Sequence, residues 1–166
     1  IGTVRWQKEH QNRGLSIPED NRLKIYKDIL KYVDYVDVEI RSRIVREVIK
    51  EARKTNRKVI VSYHNFSKTP PFKTLEVIHR KGKQLKPDII KIATRANTPD
   101  ELFTLLSFTY KYSKSSPLVV TPMGTSLVER IVPLSLGSLF TYIAFTTETA
   151  PGQISYRDMD ILKKLT

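Results

Sequence analysis

The sequence predicts an α/β protein assembled from repeated strand–helix units. Two observations carry this. Six short runs are near-continuous blocks of Val, Ile, Tyr and Phe, and amphipathic stretches separate them. Continuous apolar strands are those of a parallel sheet covered on both faces. The strand-to-strand spacing, about 25–35 residues, is the size of one βα unit. The chain of 166 residues, 40% hydrophobic, is long enough for one buried core.

The strands are expected at Ile1–Trp6, Tyr35–Ile40, Val59–His64, Ile89–Thr94, Leu118–Thr121 and Phe140–Phe145. Pro18–Lys31 has Leu23, Tyr26, Ile29 and Leu30 at helical spacing, with Ser16 as a cap. Ser42–Thr55 carries Ile44, Val45, Val48, Ile49 and Ala52, and Phe72–Gln84 carries Leu75, Val77 and Ile78. Pro99–Lys114 follows Thr98, with Glu101 three residues on, a capping-box pattern. Its core face reads as Leu102, Leu105, Leu106 and Tyr110. A last helix is expected over Tyr156–Leu165, after a Pro-Gly loop at Ala150–Ser155. The pattern leaves an open doubly wound sheet and a closed barrel both possible. Neither GxGxxG nor GxxxxGK[ST] follows any strand, which weakens the nucleotide-binding versions. A barrel needs eight strands, so its first two would lie outside this chain.

Composition narrows the function. With no cysteine, disulfide frameworks, thiolate metal sites and cysteine nucleophiles are excluded. No apolar run reaches the roughly 18–20 residues of a membrane span. The opening IGTVRWQKEH lacks the pattern of a signal peptide, so a cytoplasmic protein is expected. The net charge of +12 and pI near 9.9 favour anionic partners. The basic residues are scattered, and the densest stretches, Lys50–Lys58 and His79–Lys86, fall on helix ends and loops. They read as a solvated face rather than a nucleic-acid surface.

Lys91 is the most unusual residue. It lies in DIIKIAT, where alternation puts Ile89, Lys91 and Ala93 on one face. A lysine inside a strand sits in a partly apolar setting. Burial disfavours the ammonium and exposes a nucleophilic amine, the requirement for imine formation. A lysine paired with a buried carboxylate, or one at a sheet edge, fits the pattern equally. His64 ends VIVSYH and shares a face with Ile60 and Ser62, where the carboxyl end of a barrel strand gathers catalytic groups. His10 and His79 read as loop and helix-surface positions. No His/Asp/Glu spacing forms a metal set, so no metal is expected. Asp37 and Glu39 share one face of YVDVEI, two acids on an apolar strand, and suit interior partners for Lys91 or His64. Glu9 follows Arg5 by four residues and could orient an imidazole, or sit exposed in a loop. Arg130 precedes an apolar helix-like stretch.

Together these residues resemble type I 3-dehydroquinate dehydratase, an imine-forming family. SYHNFSKTP is similar to the family's S-x-H-D-F segment with its catalytic histidine. DIIKIAT is similar to the strand of the imine lysine, at a gap of 27 residues from His64 to Lys91. RWQKE resembles the R-x-x-x-E segment, MGTSLVER the methionine-to-arginine stretch, and TAPGQIS the SAPGQ loop, with Thr149 for the common serine. The family's E-x-R motif at the end of the second strand has no match.

The resemblance implies a (βα)8 TIM barrel of which this chain, residues 1–166, is a single domain running from the third strand to the C-terminal helix. It implies dehydration of 3-dehydroquinate to 3-dehydroshikimate in a hydro-lyase step of the shikimate pathway, without cofactor or metal. Lys91 would form the imine, His64 would shuttle protons, and Glu9 would orient His64. Arg130 would grip the substrate carboxylate. Arg5, Thr149 and Gln153 would bind carboxylate or hydroxyls, and Met123, Phe66 and Tyr142 would wall the ring. A homodimer acting on this small molecule is implied, with no nucleic-acid or membrane partner. Another imine-forming barrel, aldolase-like, would share Lys91 without needing the HNF and APGQ segments. A basic nucleic-acid-binding domain would need clustered Lys/Arg with exposed aromatics, and most of the aromatics here fall in apolar runs.

Overall fold

The computed structural model describes residues 1–6, 17–144 and 154–156. Strands β1 (Gly2–Thr3), β2 (Tyr35–Glu39), β3 (Lys58–Asn65), β4 (Ile89–Arg95) and β5 (Leu118–Met123) alternate with helices. These are α1 (Glu19–Ile29), α2 (Val45–Lys54), α3 (Phe72–Gln84), α4 (Pro99–Tyr112) and α5 (Leu127–Ser135). The five strands form one parallel sheet in sequential order, and the two short strands β6 (Ile143–Ala144) and β7 (Ile154–Ser155) pair with each other in parallel.

The predicted parallel α/β class holds, and the strand order bears on the alternative that pattern left open. A doubly wound sheet reverses its order at a switch point and carries helices on both faces. Here the order never reverses. One face buries Val36, Val38, Val59 and Val61 with α1 and α2. The same face buries Tyr63, Ile90, Ile92, Leu118 and Val120 with α3 and α4. The opposite face carries Tyr35, Ile60, Ile89, Val119, Phe140 and Tyr142 in a smaller apolar layer. Helices on one side of a sequentially ordered parallel sheet are the winding of a (βα) barrel. Among the described residues the sheet is open rather than closed.

Several expected boundaries move, each for a local reason. The first strand is two residues rather than six, because the backbone beyond Thr3 is taken by side chains. Val4 N–H donates to Tyr26 Oη at 3.3 Å, Arg22 donates twice to the Val4 carbonyl at 2.9 and 2.7 Å, and Trp6 N–H donates to Glu39 at 2.8 Å. β5 continues through Pro122, which pairs with Thr94 in register. The sixth strand shrinks to Ile143–Ala144, and Ile154–Ser155, expected as loop, is a strand. Pro18 occupies the N-cap position of helix α1, and the expected cap Ser16 lies outside the described residues. Thr98 does accept the Glu101 N–H, but the Glu101 carboxylate turns to the Asn97 N–H at 2.6 Å, so the reciprocal box is not completed there. The box forms instead at α5, between Ser126 and Glu129, and Arg130 lies inside that helix rather than ahead of it.

Core faces shift in the same way. On α4 the buried positions are Leu105, Phe108 and Thr109, while Tyr110 is exposed, because the spacing of three and four residues from Leu105 selects Phe108 and Thr109. On α3, Val77 turns outward and His79 turns in. Its imidazole lies 2.7 Å from Ser116 Oγ and packs against Phe108 and Tyr112, so it is not a surface histidine. No helix among the described residues is long and apolar enough to cross a membrane.

Gly137 closes α5 with φ +98°, and a Cβ there would lie 2.6 Å from Ser113 Oγ, the group that donates to the Leu136 carbonyl. Gly137→Ala therefore combines a left-handed backbone with a steric clash. Urea denaturation should give a loss of about 1–3 kcal/mol. An unchanged midpoint would contradict this packing.

Candidate active site

The inward side chains of the sheet alternate with the helix-facing ones, so register decides which residues meet. Glu39 is level with Ser62, and Ser62 with Lys91, while His64 is level with Ala93. Asp37, Glu39, Ser62, His64 and Lys91 therefore share the inner face toward the carboxyl ends of three adjacent strands. All five are buried.

Lys91 is the centre of this group. Its Nζ donates to Asp37 Oδ2 at 2.9 Å and stands 4.1 Å from the centroid of the Tyr142 ring. The alternatives left open for Lys91 thus resolve toward a buried, carboxylate-paired lysine. Burial lowers its pKa below the ordinary lysine value, and Asp37 opposes that. Burial works against the Asp37 charge too, yet Lys91, Arg5 and His64 outweigh it and hold the carboxyl far below its ordinary range. Tyr142 is pushed up by burial and then by Asp37, so its phenol stays protonated.

Arg5 reaches in from the segment after β1. Its guanidinium lies 3.2 Å from Glu39 Oε1, 3.8 Å from Asp37 Oδ2 and 3.2 Å from each ring nitrogen of His64. Equal distances to both nitrogens place it against the ring between them. Phe66 stacks on His64 with ring centroids 6.2 Å apart and planes 10° from parallel. The loop carrying Phe66 is fixed by Asn65, whose Oδ1 accepts from Ser67 N, Ser67 Oγ and Lys68 N at 3.0, 2.7 and 3.2 Å. An amide oxygen suffices for that task, which makes the Asn65 of HNF compatible with a segment that carries Asp in the resembling family. Thr69 then ties the loop to β4, bonding Thr94 Oγ1 and the Arg95 carbonyl at 2.9 Å each.

At the end of β5, Met123 is buried on the same inner alternation as Val119 and Thr121. Arg130 is buried nearby on α5, with Nη1 3.5 Å from the Pro122 carbonyl. The structure thus joins Arg5, His64 and Phe66 by direct contact and Lys91 with Tyr142 by another, links the two groups through Asp37, and sets Met123 and Arg130 beside the same strand ends. Glu9, Thr149 and Gln153 lie outside the described residues. No cluster of three or more potential metal ligands occurs among the described residues.

One participant went unread in the sequence. Arg22, on α1, is fully buried. It donates to Glu39 Oε2 at 2.5 Å, to Glu19 Oε2 at 2.7 Å and to Ser42 Oγ at 3.1 Å. Its signal was available: Arg22, Tyr26 and Leu30 recur every four residues and so lie on one helix face. Arg22, Glu39, Arg5, Asp37 and Lys91 form a chain of alternating charge from the helix layer to the site.

The model of one family, type I 3-dehydroquinase, matches residues 1–165. The chain is 35% identical over 158 residues to the 3-dehydroquinate dehydratase of Thermodesulfovibrio yellowstonii, covering 95% of this chain and 68% of that protein. With the Pyrococcus abyssi 3-dehydroquinate dehydratase it shares 33% identity over 167 residues, covering 99% and 75%. The chain belongs to the type I 3-dehydroquinase family. Its fold matches the crystal structure of 3-dehydroquinate dehydratase from Geobacillus kaustophilus with a TM-score of 0.88 at 25% identity, covering 98% of this chain and 65% of that one. The type I enzyme from Clostridium difficile, solved with covalently modified comenic acid, gives 0.84 at 29%, covering 98% and 66%. The chain therefore spans about two thirds of the length of these relatives.

Arg22 serves two buried carboxylates at once. Arg22→Met would take the ion pair from buried Glu19 and leave Glu39 with Arg5 alone, at a cost of about 3–5 kcal/mol. Urea unfolding at pH 7 tests this, and a loss below about 1 kcal/mol would mean that the array does not stabilise the fold.

Proposed function

We propose that this chain is the larger part of a type I 3-dehydroquinate dehydratase, a single-domain segment of a (βα)8 barrel, acting through an imine on Lys91. The observation that carries the reading is Lys91 itself: a buried strand lysine with a lowered pKa, beside His64 and Arg5, in a chain of this family. The Clostridium difficile relative with its covalently modified ligand supports a site that bonds covalently.

The neutral Lys91 amine attacks the C3 ketone of 3-dehydroquinate, and with one proton from His64 the carbinolamine loses water and leaves an iminium. The iminium draws electrons from the adjacent C–H bond, so the C2 proton becomes acidic. His64 takes that proton and gives it to the C1 hydroxyl, which leaves as water, and hydrolysis of the iminium returns the amine, hands its proton back to His64 and releases 3-dehydroshikimate. Glu9 orients the imidazole. Arg130, already buried, binds the substrate carboxylate as a fork. Arg5, Thr149 and Gln153 hold carboxylate or ring oxygens, and Met123, Phe66 and Tyr142 wall the ring. The chemistry asks for no metal or cofactor.

Two measurements test this. Added 3-dehydroquinate should produce the absorbance of the enone product, and borohydride added during turnover should fix a mass adduct on Lys91, since a C=N bond reduces to a stable amine. Lys91→Ala should remove both signals, whereas His64→Ala should slow turnover and still allow slow trapping. An active Lys91→Ala protein, or an adduct on another lysine, would end the imine reading.

Arg130→Ala should raise KM or lower kcat/KM by about 100-fold or more, because a charge-assisted partner of the substrate carboxylate is cut. Steady-state kinetics unchanged within a few-fold would remove Arg130 from carboxylate binding.

A further inference from the structure

We propose that Asp37 sets the charge of Lys91, holding it as ammonium in the resting protein and serving as counter-ion to the iminium during turnover. This deepens the imine reading and rests on it for the second half. The geometry is specific. Asp37 Oδ2 accepts from Lys91 Nζ at 2.9 Å, and both groups are buried. Lys91 has the Tyr142 ring on another side at 4.1 Å, a face that also favours a cation. Asp37 is anchored through its own backbone, whose carbonyl accepts the Tyr26 hydroxyl at 2.7 Å and the Thr3 hydroxyl at 3.1 Å.

The proton and charge balance gives this pairing a purpose. An ammonium and a ketone convert to an iminium and one water, R–NH3+ + O=CR′2 → R–NH+=CR′2 + H2O. The nitrogen carries one positive charge at the start and at the end. A buried carboxylate beside it therefore keeps its partner through the whole conversion. Only the intervening amine and carbinolamine stages lack the cation. An uncompensated buried carboxylate is costly, so Asp37 favours the cationic imine over those neutral stages. That is the species whose electron demand acidifies the substrate C–H.

The other charged or titratable groups around the pair act on it from three sides. Arg5, 3.8 Å from Asp37, competes with Lys91 for the same carboxylate oxygen. Glu39, on the same strand as Asp37, adds a second negative charge felt by Lys91, and His64 on β3 acts on Asp37. Tyr142 contributes a ring face with a protonated phenol. Removing Asp37 and removing Arg5 should thus move Lys91 in opposite directions.

The test reads Lys91 directly and needs no substrate. The whole chain is labelled with 13Cε-lysine, the Lys91 signal is assigned by its loss in Lys91→Arg, and its titration is followed by NMR. Asp37→Asn should lower the Lys91 midpoint by about 1–3 pH units, and Asp37→Glu should restore most of it. Arg5→Gln should raise the midpoint, and it decides the matter if circular dichroism shows that Asp37→Asn is unfolded. A Lys91 midpoint unmoved by Asp37→Asn in a folded protein, or lowered by Arg5→Gln, would overturn the assignment. Borohydride trapping is scored separately. Shifted midpoints in a protein that never traps on Lys91 would support charge control and sink the imine reading. Trapping with unmoved midpoints would do the reverse.

Discussion

Two carboxylates on one inner strand are the constraint around which the rest of the site is arranged. Asp37 and Glu39 are each almost wholly buried on β2. An ionised carboxylate out of water must be paired and hydrogen-bonded or it destabilises the fold by several kcal/mol. Three elements supply the cations: Arg22 from α1, Arg5 from the segment after β1, and Lys91 from β4. The same requirement explains why β1 ends after two residues, since Arg22 and Glu39 occupy the backbone groups that a longer strand would use. Structure and chemistry are therefore not separable here. The pairs that make the acids tolerable also place an amine, a guanidinium and an imidazole within one cluster.

The sheet keeps its two jobs on two faces. Its outer face is apolar and is covered by a single layer of helices, while its inner face passes from an apolar layer at Ile60 and Ile89 to one that carries Ser62 and Lys91, level with Glu39 on one side and Val119 on the other. The lower layer excludes water beneath the lysine. The upper one carries the groups that act. Strand register sets this two-residue step, and a slip of one residue would turn Lys91 into the helix layer and Ile92 into the site.

The sequence by itself determined the parallel α/β class, the order of the elements from β1 to β5, α3 to the residue, and the family, because apolar blocks and helical spacing are local signals. It also singled out Lys91 and His64, since a charge inside an apolar strand conflicts with its surroundings wherever the strand lies. Asp37 and Glu39 were legible as anomalies of the same kind. Tertiary structure decided which charges pair. Arg22 and Lys91 both sat in stretches with several acids elsewhere in the chain, and only the register of β2 against β3 and β4, with the packing of α1, chose Glu39 for one and Asp37 for the other. It also decided the ends of strands and the side on which His79 lies, because a backbone or imidazole group goes to whichever partner the assembled fold brings within about 3 Å. No local pattern contains that partner.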